Sequence, residues 1–327
     1  MSISHLTRDR STGAIGLGLA LFSAATFGTS GTFADSLMQA GWSPAAVVTA
    51  RISLAAVLLT IPGVRALRGR WTAARRALPS IVAFGMIAVG GCQLFFFSAV
   101  ARLDVGVALL LEYLAILLVV IWMWVRHGRR PRRLTVLGGA AAMVGLVLVL
   151  NPGSGGIDPI GVCWALLAAC GLAFFFVFSA RSDGDVPPIA LAWGGMVTGS
   201  LTLAVLDLTQ VAPFHVTARN VVLVHRSMSW LVPVIGLSLV AAAIAYAAGI
   251  AAARRLGATV ASFVGLTEVL FAVLIAWVLL GQAPVLTQIV GGIVVLVGIA
   301  LVRADELRGS TLAGPQTRSA DRVATVA

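Results

Sequence analysis

Charge of either sign is scarce in this chain, and lysine is absent altogether. Only 11% of its 327 residues are charged, against 59% hydrophobic. A soluble domain devotes about a quarter of its residues to charge, so that class is excluded. Cysteine is nearly absent too: Cys92, Cys163 and Cys170 are an odd number without metal-ligand spacing. That excludes a disulfide scaffold or a zinc site and leaves three small packing residues. The four histidines, His5, His127, His215 and His225, fall at or beyond the ends of apolar stretches. No HExxH, CxxC or G-x-S-x-G arrangement occurs. The glycine-rich segment starting Asn151-Pro-Gly-Ser-Gly-Gly lacks the lysine of a phosphate-binding loop and reads as a turn between two halves. No metal, cofactor or catalytic group is expected, and hence no enzyme.

What the chain has is apolar length. Ten stretches stand out: Ala14–Phe33, Ala45–Pro62, Leu78–Val100, Val105–Val125, Leu134–Leu150, Pro159–Ala180, Pro188–Leu206, Leu231–Ile250, Ala258–Leu280 and Val285–Val302. Each approaches the roughly 20 residues a helix needs to cross about 30 Å of hydrocarbon. Mean hydropathy is +1.01. Only helices and closed barrels satisfy their backbones in lipid, and these runs are too long and continuous for barrel strands. The fold class expected is an all-α integral membrane protein with ten transmembrane helices.

The formal charge of +11 has a topological meaning. With the amino terminus in the cytoplasm, nineteen arginines fall on the inner side, among them Arg65, Arg68, Arg126, Arg133 and Arg254. Arg102, Arg219 and Arg226 fall outside, and Arg51 lies within a span. That asymmetry is the positive-inside rule; it predicts a multi-pass cell-membrane protein with both termini cytoplasmic. It also removes the reason to expect nucleic acid as a partner. The first stretch follows Arg8 and Arg10 as a signal peptide would, but it is long enough to span and has a counterpart in the second half.

The two halves repeat. A shift of 153 residues lays Ala99–Val149 on Ala252–Val302 without a gap. Arg102-Leu103 falls on Arg255-Leu256, Trp124-Val125 on Trp277-Val278, and Gly138-Gly139 and Gly145 on Gly291-Gly292 and Gly298. The first stretch aligns with the sixth at a shift of 145, pairing Ile15-Gly16 with Ile160-Gly161. Five helices per unit is an odd number, so the second unit enters the membrane from the opposite side. Inverted repeats of this kind commonly enclose a transport site at the midplane. The glycines are expected to permit close helix packing.

These features resemble the drug/metabolite transporter superfamily, with two EamA-type domains over about 14–150 and 159–302. They are flanked by a cytoplasmic segment, 1–13, and a disordered cytoplasmic tail, 303–327. The stretch from Val105 through Glu112-Tyr113 to Ala115, and Thr267-Glu268, are similar to threonine/homoserine exporter-like members. Ile116 and Val269 stand where prolines are common in that family, so no proline is present to break either helix. The resemblance implies a solute carrier of the bacterial inner membrane that exports amino acids or other small metabolites.

Three formal charges lie deep within spans: Arg51, Glu112 and Glu268. Each should face the bundle interior or water, because a charge at the bilayer centre costs a few kcal/mol or more. In the repeat frame Glu268 matches Ala115, one helical step of three from Glu112, so both carboxylates should face the pseudo-twofold axis. They are candidates for binding a substrate amine or for proton coupling, or else for interhelical hydrogen bonding. Tyr113, Gln93, Phe97, Trp164 and Tyr246 are candidates for the cavity wall; Arg51 reads as a structural charge paired with a carboxylate or a carbonyl. The expected partners are a small-molecule substrate and the bilayer, with proton coupling and a homodimer left open. The reading is a secondary transporter working by alternating access. Its rivals are a carrier of drug-like cations, sugars or carboxylates, a membrane-embedded lipid-modifying enzyme, and a non-transporting scaffold.

Overall fold

A computed structural model describes residues 3–312, apart from 101, 104, 129, 151–157, 182–185, 210–213, 224–225 and 281–283. The glycine-rich turn at 151–156 and the tail beyond 312 lie outside the described residues. Among those described, ten helices are long and apolar enough to cross a bilayer. They are α1 (Gly13–Gln39), α2 (Pro44–Ala66), α3 (Leu78–Val100), α4 (Val107–Arg126) and α5 (Arg133–Leu150). The second unit holds α6 (Pro159–Ser179), α7 (Pro188–Leu208), α8 (Leu231–Leu256), α9 (Ala258–Ile275) and α10 (Leu286–Asp305). Between α7 and α8 lies a small hairpin of β1 (Val221–Leu223) and β2 (Arg226–Met228). Ten crossings return the chain to the face where it began.

Local chemistry sets several boundaries. Ser43 accepts from the backbone N–H of Ala46 and precedes Pro44, so α2 starts with a side-chain cap and a residue whose missing N–H costs nothing there. Asp158 and Pro159 do the same for α6. Gly128, at φ 64°, ends the fourth helix in a left-handed conformation that favours glycine.

The contact pattern has the symmetry the repeat predicts. α1 packs on α8 and α9, and its mate α6 packs on α3 and α4. The mates α2 and α7 pair with each other, as do α5 and α10. In the α5–α10 contact glycine meets glycine. A Cβ on Gly138 would lie 2.6 Å from the Gly298 carbonyl oxygen, and one on Gly145 would lie 2.7 Å from that of Gly291.

Three expectations change. Helical structure begins at Ile3 and the last helix continues to Leu312. The residues after 303 therefore do not start a disordered tail; Asp305 is buried and accepts from the Thr135 hydroxyl at 2.6 Å, tying α10 to α5. Cys163 and Cys170 are exposed on the outer surface of α6, among side chains that would face lipid, and only Cys92 is packed inside. The fourth and ninth helices are interrupted without proline. The Ile116 N–H donates to the Tyr113 carbonyl, and at the equivalent place the Val269 N–H donates to Leu266, each three residues back instead of four. Such a tightened turn shifts the helix path much as a proline would.

Candidate functional site

A cavity of about 430 Å³ lies between the repeats. Its wall carries Glu112 and Tyr113 from α4, Glu268 from α9, Gln93 and Phe97 from α3, Tyr246 from α8 and Arg51 from α2. Six of the seven expected site residues thus meet there, together with the one cation assigned to structure.

Two π-helical segments aim these groups. Gly85–Gly91 in α3 and Leu239–Ile244 in α8 occupy matching stretches of the two repeats. A π-turn carries its hydrogen bonds to the fifth residue and leaves carbonyls open to other donors. Ala88 and Ala241 are such carbonyls and are equivalent under the 153-residue shift. Tyr246 donates to Ala88 at 3.5 Å, a long contact, and Arg51 Nη2 donates to Ala241 at 2.6 Å. Gln93 and Tyr246, also equivalent, follow directly after the two π-segments and so project to the same cavity from opposite sides.

Arg51 is 2% exposed. Its Nη1 donates to Gln93 Oε1 at 2.7 Å, and its guanidinium carbon lies 5.8 Å from the Phe27 ring centroid. Its Nε has no hydrogen-bond partner among the described residues. The expected carbonyl partner is therefore present, but Arg51 is also part of the cavity wall. Glu112, 8% exposed, accepts from the Cys92 thiol at 3.6 Å, and Tyr113 and Glu268 line the same wall. Neither carboxylate forms a salt bridge with Arg51, whereas Arg102 and Asp158 do pair at the surface.

Trp164 is a correction. It stacks on Phe95 at 5.5 Å and does not line the cavity, because its position on α6 faces the side of α3 away from the axis. Sequence reasoning missed Cys92, Phe27, Phe96 and the pair Phe175 and Phe176, which do line it. Cys92 is marked only by its place next to Gln93, and the phenylalanines carry no distinguishing signal in so apolar a chain.

The wall runs from Ala20, Gly249 and Ala261 at one end to Asp35, Met38, Val100 and Ala272 at the other. Asp35 is exposed, so the cavity reaches the surface on the face that holds the end of α1 and the β-hairpin. A bundle of ten membrane helices around a central, largely apolar cavity that holds a few charged side chains and opens to one side is the architecture of a membrane transport protein. The chain belongs to the EamA-like transporter family, within the drug/metabolite transporter superfamily, whose model matches residues 14–151 and 159–304. It is similar to an uncharacterized inner membrane transporter, YicL, of Salmonella typhimurium, with 23% identity over 237 residues, 72% of this chain and 76% of that protein. The fold is shared with a solved crystal structure at a TM-score of 0.70 and 20% identity, over 89% of this chain and 97% of that one. It is thus a multi-pass membrane transporter.

Proposed function

We propose that this transporter exports a small zwitterionic or amine-bearing metabolite, an amino acid being the simplest fit, by alternating access through the central cavity. The observation that carries the reading is the placement of Glu112 and Glu268 on one apolar, aromatic wall with Arg51, without an ion pair between them. An ammonium group would be held by the carboxylates and by the faces of Phe27 and Tyr246. A substrate carboxylate would answer the guanidinium, which keeps one donor without a protein partner. The same carboxylates are the groups to carry a coupled proton. A mouth of the cavity on one face only is one of the two states that alternating access requires. With the arginine-rich side in the cytoplasm, that mouth faces outward.

A resistance screen tests this. Cells overproducing the protein should tolerate raised levels of one or more amino acids or related amines, and a Glu112→Ala strain of equal membrane abundance should lose the tolerance. Tolerance to sugars or dicarboxylates instead, undisturbed by the substitution, would reject the substrate class.

A further inference from the structure

The closed and open ends of the cavity are built from repeat-equivalent residues whose sizes have changed places. At the closed end α6 packs against α8 and α9. There Phe176 lies on Gly265, where a Cβ would stand 2.9 Å from its Cζ, and Phe175 lies on Gly249 at 3.4 Å. At the open end the matching partners are the second half of α1, Ser30–Gln39, and helices α3 and α4. They make no comparable packing among the described residues, and the cavity lies between them. The 145-residue shift puts Ser30 and Gly31 where α6 has Phe175 and Phe176. The 153-residue shift puts Phe96 and Glu112 where α8 and α9 have Gly249 and Gly265.

One end therefore has large residues on the first helix of its repeat and small ones opposite. The other has small residues on the first helix and large ones opposite. Either way a closed contact would join one large and one small partner, which is what close packing of helices needs: two large residues could not approach, and two small ones would leave a void. Ser30, Gly31 and Phe96 all face the cavity that separates them. The first helix also has a joint in the right place. It is interrupted at Thr29, immediately before Ser30, whereas α6 runs unbroken through Phe175 and Phe176.

From this we infer that Phe96 seats on Ser30 and Gly31 as the second gate, closing over Glu112 when the Phe175–Phe176 gate opens. The inference rests on the alternating-access reading above and names the residues that would carry it out.

Disulfide trapping tests it in the full-length chain in membrane vesicles, with Cys92, Cys163 and Cys170 replaced by alanine. Ser30→Cys with Phe96→Cys probes the new gate, and Phe176→Cys with Gly265→Cys probes the contact already closed. Trypsin cuts at the arginines between α2 and α3, so a Ser30→Cys/Phe96→Cys cross-link is seen as fragments held together until reduction. The expected result is cross-linking of both pairs, with solute flux lost on oxidation of the first pair and restored by reductant. Adding Gly31→Phe should lower the yield of the first pair several-fold and leave the second unchanged. Cross-linking of the control pair alone, or an oxidised first pair that still transports, would overturn the gate. Cross-linking is read without any flux, so a protein that traps as expected yet moves no solute would sink the transport reading and not the contact.

Discussion

Gly138 of α5 and Gly298 of α10 lie so close that a Cβ on either would stand 2.6 Å from the other's carbonyl oxygen. Gly298 is the repeat mate of Gly145, and Gly145 in turn meets Gly291, the mate of Gly138. The two contacts are images of one another across the pseudo-twofold axis. Gly138→Ala should therefore destabilise the protein by about 1–3 kcal/mol, the usual cost of overpacking. Gly18→Ala, with nothing within 4 Å of the new carbon, should not. Thermal unfolding of the two variants in detergent checks this; equal midpoints would contradict it.

Gln93→Leu removes the acceptor of Arg51 Nη1 and leaves a buried guanidinium donor unpaired. The expected loss is roughly 1–3 kcal/mol, because an unsatisfied buried group carries its full desolvation penalty. Gln93→Glu keeps an acceptor and should restore much of the stability. Unfolding midpoints of the two variants decide the matter.

Asp158, at the start of α6, has its carboxyl held below the usual carboxylate range by the Ile160 backbone N–H, with Arg102 adding to the effect. A depressed value means that the cap's contribution is in place at neutral pH and fades only as pH falls through that depressed value, below the ordinary value of about 3.9. Amide-exchange protection of the first turn of α6, corrected for intrinsic rates, should therefore stay flat down to about pH 4 and then decline. Asp158→Asn should keep the cap and remove the decline. The effect is small, as exposed ion pairs are.

Trp164→Ala should leave the substrate-concentration dependence of transport unchanged, because the ring packs on Phe95 outside the cavity. Tyr246→Ala should weaken apparent affinity, since that ring forms wall between Phe27 and Phe175. A reversed pair of results in a concentration series would reject the cavity assignment.

Much of this architecture was legible in the residues. Apolar length defined the ten crossings, and the glycine and Arg-Leu matches revealed the repeat that the α5–α10 contact displays. Charge scarcity singled out Glu112, Glu268 and Arg51, since a carboxylate within a span has few places to go but inward. What stayed hidden was geometry without a compositional mark. The π-turns at Gly85–Gly91 and Leu239–Ile244 share no sequence signature. The breaks at Tyr113–Leu114 and Leu266 form although Ile116 and Val269 could have continued a regular helix. Trp164 was misplaced because an aromatic ring on an apolar helix has no periodic signal separating the axis from the lipid. α10 continues past 303, where Asp305 accepts from Thr135, a pairing between residues far apart in the chain that no local pattern announces.

The account stands on Glu112 and Glu268 acting on solute from the wall of one central cavity. Flux of radiolabelled amino acids in proteoliposomes, with and without an imposed pH gradient, tests that most directly when wild type is compared with Glu112→Gln and Glu268→Gln. Each substitution should lower the flux of the preferred substrate by roughly tenfold or more, the scale of losing one charged hydrogen bond. Equal rates in all three proteins, at equal reconstitution, would contradict the account.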